Sequence, residues 1–340
     1  MDVHGGKAVM MGPKNYMGRS FMATPIAITV EGANILTRSL IVFGQGAIRC
    51  HPFVLKELEA AENNDTKMGL YNFDKALFAH IGYAISNLSR SLILAITNAR
   101  YSKTPVNTNT KRYYQHINRY SAAFAVASDF AMLSLGGELK KKELLSARLG
   151  DVLSSMYLAS TVLKHYENQG CKPNDLPLVQ WSVRTLMYEA QEKLHNFLKN
   201  LPNRPLASFL RCFIFPRGRS YSPPPDELTK KVSAIITTCG DARERLSEYA
   251  YTILEDGNPL GLLQEALELS EKTGLIEAKL RQARKDGLIK SDYLGHQIDE
   301  AEQKKLLSSE EIVDLKSYHK KVNELLSVDD FAQNEIGRNK

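Results

Sequence analysis

The sequence predicts an all-α chain, and three observations carry that expectation. Alternating apolar and polar runs of strand length are nearly absent. Beyond the first seventy or so residues the apolar positions recur at helical spacing: Phe73, Leu77, Phe78, Ile81, Ile85, Leu88, Leu92 and Ile96 trace an i, i+4, i+8 stripe. Helix punctuation also falls where such patterns start and stop, as at Gly136–Gly137, Asn258–Pro259 and the Ser308/Glu311 capping box.

The opening 24 residues are rich in glycine and methionine (His4–Gly5–Gly6–Lys7, Met10–Met11–Gly12–Pro13, Met17–Gly18–Arg19). Glycine at that density suits loops or close backbone approach to a ligand. Next comes Val30–Glu31–Gly32–Ala33–Asn34–Ile35–Leu36–Thr37–Arg38. One carboxylate follows an apolar, β-branched approach (Ile26, Ile28, Val30), and helical spacing resumes at Ile35, Leu36 and Leu40. An acid on a bend beside a helix N-terminus can be desolvated and so tuned as a base. Taken alone, the same residues more often describe a surface turn with a solvated glutamate. Gly44–Gln45–Gly46 is expected to break the pattern, and Cys50–His51–Pro52 to start a new element.

The long helix stops near Thr104–Pro105. A second spans Lys111–Leu135, with Tyr114, Ile117, Ala125 and Leu133 inward, and Lys111, Arg112 and Arg119 outward. Lys140–Lys141–Lys142–Glu143 reads as a solvated face. A third helix runs from Ser146 to Tyr166 and is ended by Gly170 and Pro173. A fourth follows Asp175–Leu176–Pro177, where the aspartate can cap and the proline fits the first turn. It carries Trp181, read as a core residue, and reaches Asn200.

Residues 201–226 interleave Leu206, Phe209, Leu210, Phe213, Ile214 and Phe215 with Arg204, Arg211, Arg217 and Arg219, and end in Pro223–Pro224–Pro225. Two readings stand: a basic amphipathic stretch lying on a membrane surface, or a core helix leaving through a basic turn into a proline linker. The region 265–325 is dense in both charge signs and reads as an exposed helical hairpin or antiparallel pair. Residues 331–340 read as a frayed tail.

The 340 residues suffice for one large or two ordinary domains. With 43% hydrophobic and 24% charged residues the chain is globular rather than disordered. A net charge of +6 allows weak attraction to anionic partners but does not argue for nucleic acid. The four cysteines (Cys50, Cys171, Cys212, Cys239) are widely spaced and read as free thiols of a reducing compartment. That places the protein in the cytoplasm, with the periphery of the inner membrane as the alternative if 201–226 meets lipid. No secretory signal or membrane span is evident.

The histidines are scattered and only Cys50–His51 are adjacent, so no metal site is expected. Neither a GxSxG elbow nor a GxxxxGK[ST] loop is present.

The glycine-rich opening and the Glu-Gly turn do point somewhere. Asp2–Val3–His4–Gly5–Gly6, then Gly18–Arg19, then Ile28–Thr29–Val30–Glu31–Gly32–Ala33–Asn34–Ile35–Leu36–Thr37–Arg38 resemble the C-terminal part of an acyl-CoA dehydrogenase. Three further runs resemble the large bacterial long-chain type, which carries an extra C-terminal helical domain: Phe43–Gly44–Gln45–Gly46–Ala47–Ile48–Arg49–Cys50–His51–Pro52, Lys111–Arg112–Tyr113–Tyr114–Gln115–His116, and Ser146–Ala147–Arg148–Leu149–Gly150–Asp151–Val152.

The resemblance implies an all-α architecture: the end of the dehydrogenase helical domain (1–45), then an additional multi-helix domain (46–330). It implies FAD as cofactor and fatty acyl-CoA as substrate, with oxidation to the trans-2-enoyl-CoA in fatty-acid β-oxidation. Glu31 maps to the base that removes the α-proton while the flavin accepts hydride from the β-carbon. Glu31 and Gly32 would meet the substrate thioester. Gly5 and Gly6 would lie near the FAD of a neighbouring subunit, and Ala33 and Asn34 would face the cofactor. Many relatives have a hydroxyl residue where this chain has Ala33, so that hydrogen bond is lost or passes to Asn34.

The resemblance further implies an electron-transfer flavoprotein as acceptor and a homo-oligomer. The family's N-terminal helices and middle β-domain are not in the chain. The expectation is therefore a split or truncated portion, inactive alone and pairing with a missing N-terminal part. The rival expectation is a non-catalytic helical module that contacts a partner or membrane surface, with Glu31 a relic.

Overall fold

The computed structural model describes residues 1–10, 15–30 and 35–327. Helices account for nearly all its regular structure, with no strand among the described residues. Contacts divide the chain into two compact units, residues 28–232 and residues 1–27 with 233–340. The boundary expected between residues 45 and 46 falls inside the first of these, and the expected tail lies outside the described residues.

Helix α1 (Tyr16–Val30) opens on Asn15, whose Oδ1 accepts from the amides of Met17 and Gly18. A π-helix (Ile35–Gln45) then passes directly into α2 (Gly46–Cys50). The glycines of Gly44–Gln45–Gly46 do not break the chain there, because Gln45 keeps helical dihedrals. The turn comes at His51, which is extended.

Beyond it run α3 (Val54–Ala61), α4 (Thr66–Ile96), α5 (Lys111–Leu135), the single-turn α6 (Glu138–Lys141), α7 (Glu143–Asn168), α8 (Leu176–Asn200) and α9 (Arg204–Ile214). Asp65 caps α4 through the amides of Lys67 and Met68, and Asn203 caps α9 through Leu206. Gly136 closes α5 at φ +50°, a conformation that glycine adopts without strain. Asp175 precedes α8 but makes no side-chain cap bond; it lies in a 3-10 turn (Pro173–Asp175) and keeps helical dihedrals, whereas a capping residue is normally extended.

The core of this unit joins α5, α7, α8 and α9 around Leu149, Leu163, Val183, Leu194, Phe197 and Leu210. Burying such side chains is the main source of its stability, at about 1.5–3 kcal/mol each. Trp181 is only half-buried and donates to Thr229 Oγ1. In the 201–226 stretch, Leu210, Ile214 and Phe215 are buried in the core, while Arg211, Arg217 and Arg219 face solvent. Among the described residues no helix is long and apolar enough to cross a membrane.

Two faces differ from expectation. On α5 the supposed inward Leu133 is 80% exposed, whereas the supposed outward Arg119 is 3% exposed. Arg119 can turn inward because neutral oxygens and two tyrosine rings receive it there. On α4 the residues pressed inward are Ala76, Asn87, Ser91 and Ala95, small enough for close helix packing. Phe78, Ile81, Ile85 and Ile96 of its apolar stripe face outward.

The other unit begins with a 3-10 turn (Asp2–Ala8) and later holds α10 (Asp226–Thr237, which runs in from the first unit), α11 (Asp241–Leu246), α12 (Pro259–Lys285), α13 (Leu294–Gln303) and α14 (Ser309–Leu326). Asn258 caps α12, and Ser308 with Glu311 forms the capping box of α14. Ion pairs Glu265–Lys321 and Lys272–Asp314, each 2.8 Å, run in opposite chain directions and so show α12 and α14 to be antiparallel. A small core of Ile276, Leu280, Ile298, Ile312 and Leu315 joins them to α13.

Candidate functional site

Glu31, Gly32, Ala33 and Asn34 lie outside the described residues, so the site has to be built from its flanks. The approach on α1 is helical rather than extended, and its Ile26, Ile28 and Val30 are exposed.

Downstream, the π-helix is held firmly. Arg38 pairs with Asp151 of α7 at 3.3 Å, and Lys193 of α8 reaches the other oxygen of the same carboxylate at 2.8 Å. A Cβ at Gly150 would stand 3.1 Å from the Arg38 carbonyl oxygen, so a larger residue there would push the two helices apart. Phe43 is buried in the core and meets Phe124 edge-on. The runs that begin at Phe43 and at Ser146 are thus in contact, far apart as they are in sequence.

Gly5 and Gly6 lie in the 3-10 turn of the other unit. Both are exposed, Gly5 has φ +58°, and an added Cβ at either would meet nothing within 4 Å. They line no cradle in this chain.

The structure brings together three residues that sequence reasoning left scattered. His51, His80 and Asp129 place one potential ligand atom each within 4.8 Å of one another. His51 Nε2 lies 2.9 Å from Asp129 Oδ1, and both side chains are over nine-tenths buried. Glu57 Oε1 holds His80 Nδ1 at 2.8 Å, and Phe53 stacks on the His80 ring.

A metal would need His51 Nε2 unprotonated. Yet His51 Nδ1 accepts from the amides of Phe53 and Val54, at 3.2 and 3.1 Å. The ring proton therefore sits on Nε2 and points at Asp129. Moving it to Nδ1 would set it against two N–H donors. The geometry is that of a histidine capping α3 and anchored to α5, not of a ligand set. The pattern Cys50–His51–Pro52 carried part of the signal, with a proline in the turn just before the helix.

A second polar cluster gathers on α5. Arg112 donates to the Asn98 carbonyl at 3.0 Å and to Gln115 Oε1. Arg119 donates to Asn98 Oδ1 and Ser220 Oγ, at 3.3 and 2.9 Å, with its guanidinium 5.6 Å from the ring centres of Tyr120 and Tyr221. His116 Nδ1 meets the Tyr221 hydroxyl. Burial, followed by the charges of Arg112 and Arg119, pushes His116 down to about 3, so its ring is neutral at physiological pH. Burial raises the Tyr221 phenol well above its usual range.

The described helices form a bundle in which Gly150 lets α7 pass close to the π-helix that begins at Ile35. The family model "Acyl-CoA dehydrogenase, C-terminal, bacterial type" matches residues 48–331, and the chain belongs to that family. No solved structure matches the chain.

Proposed function

We infer that this chain acts as the C-terminal portion of a FAD-dependent acyl-CoA dehydrogenase, which oxidises fatty acyl-CoA to the trans-2-enoyl-CoA in β-oxidation. The single observation that carries the reading is the family match over residues 48–331. The residues just before that match include Glu31 and Gly32, and the π-helix that begins at Ile35 is braced on α7 and α8 through Asp151. Such bracing is what a base needs, since misplacement by an ångström is costly to proton transfer.

In this reading Glu31 takes the α-proton of the thioester. That proton is weakly acidic, so the carboxylate needs a dry, apolar setting and donors for the developing enolate oxygen. Gly32 would line the thioester, and Ala33 and Asn34 the cofactor. The reading takes the remaining pocket walls from an N-terminal partner or a second subunit. Electron-transfer flavoprotein as acceptor and a homo-oligomeric assembly belong to the same proposal.

The test is reconstitution. The chain alone, given FAD and palmitoyl-CoA, is expected to leave an electron-accepting dye unreduced. Adding a separately expressed N-terminal partner is expected to restore reduction. Glu31→Gln in the pair is expected to lower the rate by at least about 100-fold, the scale of a lost general base. Undiminished activity in that variant would overturn the assignment of the base.

A second reading, a non-catalytic helical interaction module, draws on one observation: Phe78, Ile81, Ile85 and Ile96 form an outward apolar row on α4. The 201–226 stretch lends it little, because its aliphatic residues are turned into the core.

A further inference from the structure

The first half of α5 holds more positive charge than the protein around it neutralises. Arg112 and Arg119 stand two turns apart on that helix. Arg119 is almost wholly buried, and a guanidinium does not give up its proton in proteins. A buried charge without an opposite charge is expensive, and native structures normally pair it. Among the described residues, neither arginine forms an ion pair. The groups they reach are neutral: the Asn98 carbonyl and side-chain oxygens, Gln115 Oε1, Ser220 Oγ and, at 3.5 Å, His116 Nε2. Glu192, an acid on α8, is already engaged by Arg219 at 2.8 Å. The neutrality of His116, held there in part by these two guanidinia, is a sign of the same local excess of positive charge.

The remaining donors fit an anion. Ser220 accepts from Arg119, which leaves its own O–H free to donate, and Ser220 is exposed, so the cluster opens to solvent there. The Tyr221 hydroxyl, next in sequence, is held against His116 Nδ1.

We propose that Arg112, Arg119 and Ser220 form a binding site for a phosphate group. A carboxylate would balance only one of the two guanidinia. A phosphate monoester carries between one and a half and two negative charges near neutral pH, by a rough count, and has oxygens enough for both guanidinia and a hydroxyl. The arginines also tether the turn after α4 through Asn98. That tether uses neutral oxygens and leaves both charges uncompensated.

The phosphate can come from two sources: free inorganic phosphate, or a phosphate carried on a larger ligand such as coenzyme A. Only the coenzyme arm rests on the dehydrogenase reading, so the phosphate arm can succeed or fail independently of it. The experiment is calorimetric titration of the full chain with inorganic phosphate, coenzyme A, and coenzyme A lacking its 3′-phosphate, against sodium chloride at matched ionic strength.

Saturable binding on the order of millimolar or tighter, with a melting temperature that rises with phosphate concentration, is expected. Arg112→Gln is expected to weaken it at least about tenfold, and the exposed Ser220→Ala roughly fivefold. Lys140→Gln, far along the chain in a charged turn, is expected to change nothing. Arg119 is buried in the fold itself, so the half-exposed arginine and the exposed serine carry the test. Tighter binding of coenzyme A, lost with its 3′-phosphate, assigns that phosphate as the source; equal binding of inorganic phosphate assigns the free anion. Absence of saturable phosphate binding at tens of millimolar (about the weakest range that such a site could occupy), or equal binding by wild type, Arg112→Gln and Ser220→Ala, would overturn the proposal.

Discussion

His51 donates its Nε2 proton to Asp129 Oδ1 across 2.9 Å, although the two residues are 78 positions apart. The other ring nitrogen accepts from the amides of Phe53 and Val54, at the start of α3. One imidazole thus ends a helix and ties it to α5. His51→Ala is expected to destabilise the chain by about 2 kcal/mol, the sum of a lost cap and a buried carboxylate left with one partner fewer. His51→Asn, which can still cap, should recover roughly half of that. Urea unfolding followed by circular dichroism reads both variants; equal stability of His51→Ala and wild type would refute the anchoring role.

The joint between the π-helix and α7 rests on a missing side chain. At Gly150 a Cβ would crowd the Arg38 carbonyl at 3.1 Å, and backbone yields less easily than a flexible side-chain tip. Gly150→Ala is expected to cost about 1–3 kcal/mol, the range for overpacking. In a reconstituted dehydrogenase it should lower activity more than Asp151→Asn does, because it displaces the helix that follows Glu31 rather than weakening one ion pair. Hydrogen exchange of residues 35–45 checks the displacement directly.

Much of the helical layout was legible in the sequence because it is written locally. The bounds Lys111–Leu135, the end of α8 at Asn200, the Asn258 cap and the Ser308/Glu311 box follow from periodicity and punctuation within a few residues. Which face turns inward was less legible. Leu133 lies outside and Arg119 inside, since burial is decided by what the neighbouring helices offer, here the Ser220 hydroxyl and the Tyr221 ring more than a hundred positions away. The His51, His80 and Asp129 cluster was hidden for the same reason, having no common spacing along the chain. Glu31 was singled out through family resemblance; its local pattern more often describes a solvated turn.

The depressed His116 titration sets a pH dependence. An unfolded histidine takes up a proton near pH 6.5, whereas His116 in the folded chain resists protonation down to about 3. Between those values the unfolded state binds more protons, so stability falls as pH drops from 6.5 towards 3 and gains nothing further from this group above 6.5. The loss is at most a few kcal/mol across that window. His116→Gln keeps hydrogen-bonding capacity and removes the titration. Its urea midpoint is expected to depend less on pH between 6.5 and 4 than that of wild type, and parallel profiles would exclude His116 as the source.

The outward row on α4 separates stability from contact. Phe78 is 72% exposed and Ile85 60% exposed, whereas Leu149 and Leu194 are fully buried between helices. Truncating a buried leucine removes transfer free energy and leaves a cavity, so Leu149→Ala or Leu194→Ala should cost about 2–5 kcal/mol. Phe78→Ser and Ile85→Ser have little to lose in the chain by itself and should shift stability by no more than about 0.5 kcal/mol. An exposed apolar row is also the part of a surface most prone to association, so the double substitution should raise solubility while leaving the unfolding midpoint in place. A large drop in that midpoint would mean that Phe78 and Ile85 pack inside the folded chain, and the division of α4 into a small-residue inner face and an apolar outer face would have to be reversed.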